Sequence, residues 1–175
     1  MGKLTLDDPY YERLHTFLNA TKDESDRGRA LVAASLVEEM LEEVLRGFFL
    51  ETSATKKLFT DPNAPLSTFS AKASASRALG LISCQEYSDI DLIRKIRNAF
   101  AHSVVCSFED EKITSWAVSL KAGMSCLDAL EKGHKSRVND PKQRFVMVTT
   151  SLVSALYNRA HYVKKDRLTE RVWPL

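Results

Sequence analysis

Apolar residues recur along this chain at three- and four-residue intervals, and no segment keeps the strict alternation that builds a sheet, so the pattern predicts helices joined by turns. Between Asp7 and Ala20, the residues Tyr10, Leu14, Phe17 and Leu18 make a short amphipathic helix that covers the core. The strongest periodicity comes next. Leu31, Ala34, Leu41, Val44, Leu45 and Phe48 share a face, and Ser25 or Asp26 is placed to cap the free amides of the first turn. Glu38, Glu39, Glu42 and Glu43 fill much of the remaining surface. No histidine or further carboxylate lies at ligand spacing, so they read as a solvated face rather than a metal site, with Glu42 and Arg46 at the favourable i,i+4 separation.

Asp61-Pro62-Asn63-Ala64-Pro65 breaks the pattern, because each proline removes a backbone donor and biases its predecessor away from helix. Ser67 then opens a helix of small residues from Ser70 to Leu79, closed by Gly80. Such a helix permits close packing; a ligand groove is the alternative. Ser83-Cys84-Gln85-Glu86 has the capping-box pattern, in which the serine oxygen takes one orphan amide and the glutamate returns to another. The central helix that starts there packs Tyr87, Ile90, Ile93, Ile96 and Phe100 into the core. Ser107-Phe108-Glu109-Asp110 is expected to open a further helix in the same way, through Ile113, Trp116, Ala117 and Leu120. Asp140-Pro141 places a capping residue before a proline at the first helical position, and the last long helix carries Phe145, Val148, Leu152, Leu156 and Tyr162. Val104-Val105-Cys106 is a candidate for a brief extended piece.

These elements predict an all-α fold, a compact multi-helix bundle with residues 1–175 forming one domain. At 175 residues and 44% hydrophobic content the chain can bury a core without metal or disulfide staples. Cys84, Cys106 and Cys126 are odd in number and widely spaced, which points to free thiols. No apolar run approaches the roughly 20 residues that span a bilayer, and the first residues lack the apolar stretch of a signal peptide. A cytoplasmic protein without a membrane partner is the expectation. The formal net charge of +2 hides a polarity: residues 22–51 carry four Lys/Arg against eight Asp/Glu, and residues 134–175 carry nine against three. The basic end suits nucleic acid, an acidic protein face or plain solvent.

Candidate chemistry concentrates in Leu92 to His102. At about 100° per residue, Arg94, Asn98 and His102 fall on one polar stripe, with Arg97 flanking it. An Arg, an amide and a His close together suit a phosphodiester: guanidinium stabilises anionic charge, and imidazole transfers protons near neutral pH without a metal. The plainer alternative is that Arg97 pairs with a carboxylate of the acidic helix while His102 caps its own last turn. His15, His134 and His161 stand singly and read as structural or exposed. There is no Gly-rich phosphate loop, no His-Glu-x-x-His and no serine nucleophile elbow, so neither cofactor nor metal is expected. No helix-turn-helix is evident either; Lys164, Lys165, Arg167 and Arg171 offer phosphate contacts without a base-reading pattern.

Glu24-Ser25-Asp26-Arg27-Gly28, the Ala30 to Ala34 run with its Glu-rich continuation, Ala64 to Lys72, and Leu92 to Ser103 together resemble the mannitol operon repressor (MltR) family of transcriptional regulators. The resemblance implies a helical regulator acting through protein or nucleic-acid partners. Arg97-Asn98-Ala99-Phe100-Ala101-His102 also resembles the Arg-Asn-x-x-x-His motif of HEPN domains, some of which are metal-independent ribonucleases with the motif at a dimer interface. What that resemblance implies is a HEPN-like homodimer. Arg97 would bind phosphate, His102 would transfer protons, and Asn98 would orient the group. Arg94, Arg27 and one of Glu24 or Asp26 would lie in the binding surface.

Overall fold

Ser25 accepts a hydrogen bond from the Gly28 amide at 3.1 Å and so starts α1, Asp26–Phe48. The computed structural model describes residues 24–103, 105–123 and 139–174. The helix expected from Asp7 to Ala20, together with Cys126, His15 and His134, lies outside them. Five more helices follow among the described residues: α2 (Ser53–Thr60), α3 (Phe69–Ala78), α4 (Cys84–His102), α5 (Glu111–Val118) and α6 (Pro141–Val163). No strand occurs among the described residues, and Val105 is 89% exposed at a bend. The fold is an all-α bundle.

Local signals explain most of the helix ends. Ser83 and Glu86 complete both arms of the capping box, at 3.1 and 2.7 Å. Asp140 accepts from the Gln143 amide at 2.8 Å, with Pro141 as the first residue of α6. Helix α3 begins at Phe69 because Thr68, not Ser67, takes the Ala71 amide, and the chain leaves it through Gly80 at φ 72°. The Ser107 box takes another form. The Ser107 amide bonds to Asp110 at 3.2 Å and the Glu109 amide to the Ser107 hydroxyl at 3.1 Å, closing a turn, and α5 starts only at Glu111. Helix α2 has no apolar stripe in the sequence and buries only Phe59. It forms because Thr52 caps it, Thr55 bonds back to the Leu50 carbonyl at 2.6 Å, and the Arg46 guanidinium lies 4.1 Å from the Phe59 ring centre.

The two longest helices, α1 and α6, run parallel: Lys142 meets Asp26 at their N-terminal ends, and Gly47 abuts Ala160 and Val163 at their C-terminal ends. Helix α4 runs the other way. Its first turn offers Glu86 to Arg159 near the end of α6, at 2.8 Å, while the loop beyond its last turn returns to Asp26. Leu41, Leu45, Ile93, Ile96, Phe100, Phe145 and Leu156 are buried where the three meet. Tyr162, expected on the buried stripe of α6, is 62% exposed, since the last turn faces α1 with Ala160 and Val163 instead.

Part of the acidic face of α1 is not solvated. Lys72 of α3, only 7% exposed, reaches Glu38 and Glu42, each at 3.0 Å, and Glu42 also holds Arg46 at 2.8 Å. Burial works against the Lys72 charge, but the hydrogen bonds and charges of both glutamates outweigh it and hold its pKa above the ordinary lysine value. Lys72→Met is expected to leave two glutamates without their cation and cost about 2 kcal/mol in urea unfolding, less than a fully buried pair because the carboxylates keep some water. A loss below about 0.5 kcal/mol would contradict this account.

Candidate functional site

At the N-terminal end of the α1–α6 pair, three segments converge. Asp26, in the first turn of α1, accepts the Phe108 amide at 3.4 Å on one oxygen and Lys142 of α6 at 2.7 Å on the other. Phe100 of α4, Phe108 of the loop and Phe145 of α6 stack in series, with ring centres 5.1 and 5.3 Å apart. Thus the loop that follows His102 is pinned by one carboxylate and one aromatic ring. Burial and the hydrogen bond and charge of Asp110 push the Cys106 thiol up in pKa, while the nearby Arg27 acts in the opposite direction. Cys106 is a half-buried free thiol and Cys84 an exposed one.

Along α4 the polar edge divides. Arg97 donates to the Asn98 side-chain oxygen at 2.9 Å, so these two already form a unit. Arg94 turns toward the preceding turn and donates twice to Asp91, at 3.2 and 2.7 Å, a carboxylate it shares with Lys95 at 2.8 Å. His102 ends the helix, exposed to solvent. No hydrogen bond among the described residues joins it to Arg97. Arg97 makes no ion pair with the acidic helix among the described residues, so the plainer reading of that side chain is not what is seen. Asn98 is its partner instead.

The acidic candidates are placed close to this edge in part. Asp26 reaches the loop just beyond His102, with both oxygens engaged as described. Glu24 lies against Gly28 of its own helix start, its backbone carbonyl accepting from Arg29 at 3.5 Å. Arg27 is exposed beside the Cys106 loop. What the arrangement offers chemically is an exposed imidazole, a half-buried Arg–Asn pair whose guanidinium retains free donors, and the exposed Arg27: a surface suited to anionic groups.

Lys142 and the Phe108 amide were not legible as parts of this end, because both depend on helices distant in sequence meeting. Asp89 was, in principle. It sits four residues before Ile93 on the buried face, is fully buried, and accepts from the Ala122 and Lys121 amides and from Gln85, at 2.6, 3.1 and 3.1 Å. An acid on an apolar stripe announces such a polar anchor. Burial pushes its carboxyl up in pKa, opposed by those three hydrogen bonds.

The fold and this end of it define a class: a helical bundle with a long parallel pair, a crossing antiparallel helix and a cationic polar edge where that helix ends. A solved structure shares the fold. A chain in the X-ray structure of the MtlR–HPr complex from Escherichia coli matches with a TM-score of 0.64 and 20% sequence identity, over 86% of this chain and 99% of that chain. No family model and no curated protein match the sequence. At that identity the likeness is one of fold.

Burial raises the Asp26 pKa, but the hydrogen bonds of Lys142 and Phe108, with the charges of Lys142 and Arg29, hold it below the ordinary aspartate range. The folded state therefore gives up this proton more readily than the unfolded chain. The stabilisation is present above about pH 4 and is lost as pH falls through the lowered folded value. Asp26→Asn is expected to flatten the fall of the urea midpoint below about pH 4; acid limbs of identical slope in the two proteins would remove the assignment.

Proposed function

We propose that this chain is an MtlR-like transcriptional regulator that works by binding a protein partner, HPr being the candidate that the structural neighbour supplies. The observation that carries the reading is the fold match, which takes in nearly all of the neighbour's chain. Among the described residues no helix is long and apolar enough to cross a membrane.

The surface we assign to the partner is the polar edge of α4, with Arg94, Arg97, Asn98 and His102, extended by Glu24 and Arg27 at the start of α1. Its groups suit a partner that presents carboxylates or phosphate, since charge-assisted hydrogen bonds to guanidinium are strong and directional. In calorimetric titration, purified HPr is expected to bind the chain. Arg97→Ala combined with His102→Ala is expected to weaken binding at least tenfold, about 1.4 kcal/mol. No heat of binding by the wild-type chain would sink the HPr reading, and equal affinity in the variant would move the surface elsewhere.

One observation favours a second reading, metal-independent RNA cleavage. His102 is exposed and has no hydrogen bond among the described residues, leaving its imidazole available for proton transfer beside an Arg–Asn pair. Incubation with structured and single-stranded RNA in EDTA decides it. Cleavage that disappears in His102→Ala would establish the enzyme, and equal background in both proteins would dismiss it.

A further inference from the structure

At the opposite end of the α1–α6 pair, the last turns of both helices and the chain from Leu50 to Lys56 enclose a cleft of about 400 Å³. Four Lys/Arg and two Glu line it. Two of the cations are committed. Arg46 holds Glu42 at 2.8 Å and stacks on Phe59, and Arg167 holds Glu51 at 2.7 Å and the Gly47 carbonyl at 3.1 Å. Lys56 of α2 and Lys164, which follows the last residue of α6, are exposed and make no ion pair among the described residues.

Helix C-termini attract cations, so the first question is whether these lysines serve the backbone. They do not have to. The Gly47 carbonyl takes Arg167, the Phe48 carbonyl takes the Leu168 amide at 2.8 Å, and the Tyr162 and Val163 carbonyls take the Lys165 and Asp166 amides at 3.0 and 3.1 Å. These four carbonyls are taken with both ammonium groups left over. Gly47 lines the cleft beside the stem of Lys164. Across the cleft α2 begins, and its first turn places Lys56 on the rim.

We infer that this cleft binds a small phosphate-bearing molecule, held by Lys56 and Lys164. Two uncompensated ammonium groups match a dianion better than a single carboxylate, and the volume accommodates a phosphate with a short organic group against Leu50 and Ala160. The site is remote from the polar edge of α4 and does not depend on the regulator reading. The free anion and an organic ester share this chemistry, and the probes below separate them.

The test is an NMR titration of the full chain at constant ionic strength with inorganic phosphate, glycerol 3-phosphate and, as uncharged control, glycerol. Saturable shifts of the amides at 50–56 and 160–167 are expected with at least one phosphate and not with glycerol. Saturation by inorganic phosphate assigns the site to the free anion; saturation by glycerol 3-phosphate alone assigns it to an ester. The Lys56→Gln/Lys164→Gln double variant, whose exposed positions leave the core intact, is expected to bind at least tenfold more weakly. Absence of saturable shifts up to about 10 mM of either phosphate, or equal affinity in the double variant, overturns the proposal.

Discussion

The structure depends most on the parallel contact between α1 and α6. At its C-terminal end that contact is closest at a glycine: a Cβ at position 47 would stand 3.1 Å from a Val163 methyl and 3.3 Å from the Ala160 carbonyl oxygen, so a side chain there would make the two helices give by a few tenths of an ångström. At the N-terminal end the Asp26–Lys142 pair joins the two helices, and Phe108 of the loop packs on Phe145 beside it. Against these two 23-residue helices α4 packs mainly on α1, and its antiparallel course carries Arg94 to His102 toward the end that Asp26 organises.

Polar groups inside the bundle perform the complementary task of holding the shorter pieces. Lys72 ties α3 to the acidic side of α1, and Asp89 ties the chain after α5 to α4 through two backbone amides. Arg144 adds a forked pair of bonds to the Leu120 carbonyl, at 2.9 and 2.8 Å. An unpaired charge or amide in such places costs more than the bond itself contributes, so these contacts fix geometry more than they add stability. The consequence for function is that the two ends of the α1–α6 pair carry different surfaces: a cationic helix edge at one, a cleft with two spare ammonium groups at the other.

Helix starts were legible from short patterns, because a cap is a local event: Ser25, the Ser83–Glu86 box and Asp140-Pro141 each need only three or four residues to act. The buried stripes of α1, α4 and α6 were legible for the same reason that they bury, their helical period. Helix α2 was not, since its Thr-Lys-Lys composition carries little apolar signal and its stability comes from Arg46 on Phe59. The acidic quartet read as solvated because Lys72, 34 residues from Glu38, is brought to it only by tertiary packing. At the candidate site the sequence placed Arg94, Asn98 and His102 on one edge, but the partners Asp91 for Arg94 and Asn98 for Arg97 follow from rotamers that spacing does not specify.

The central claim is that the end of the bundle organised by Asp26 is the face that meets a partner. Hydrogen exchange of the chain alone and mixed with HPr tests it most directly. The account predicts slowed exchange at residues 94–102 and 105–110 in the mixture, with the 50–56 and 160–167 segments unchanged. Protection confined to those latter segments, or none anywhere, would contradict it.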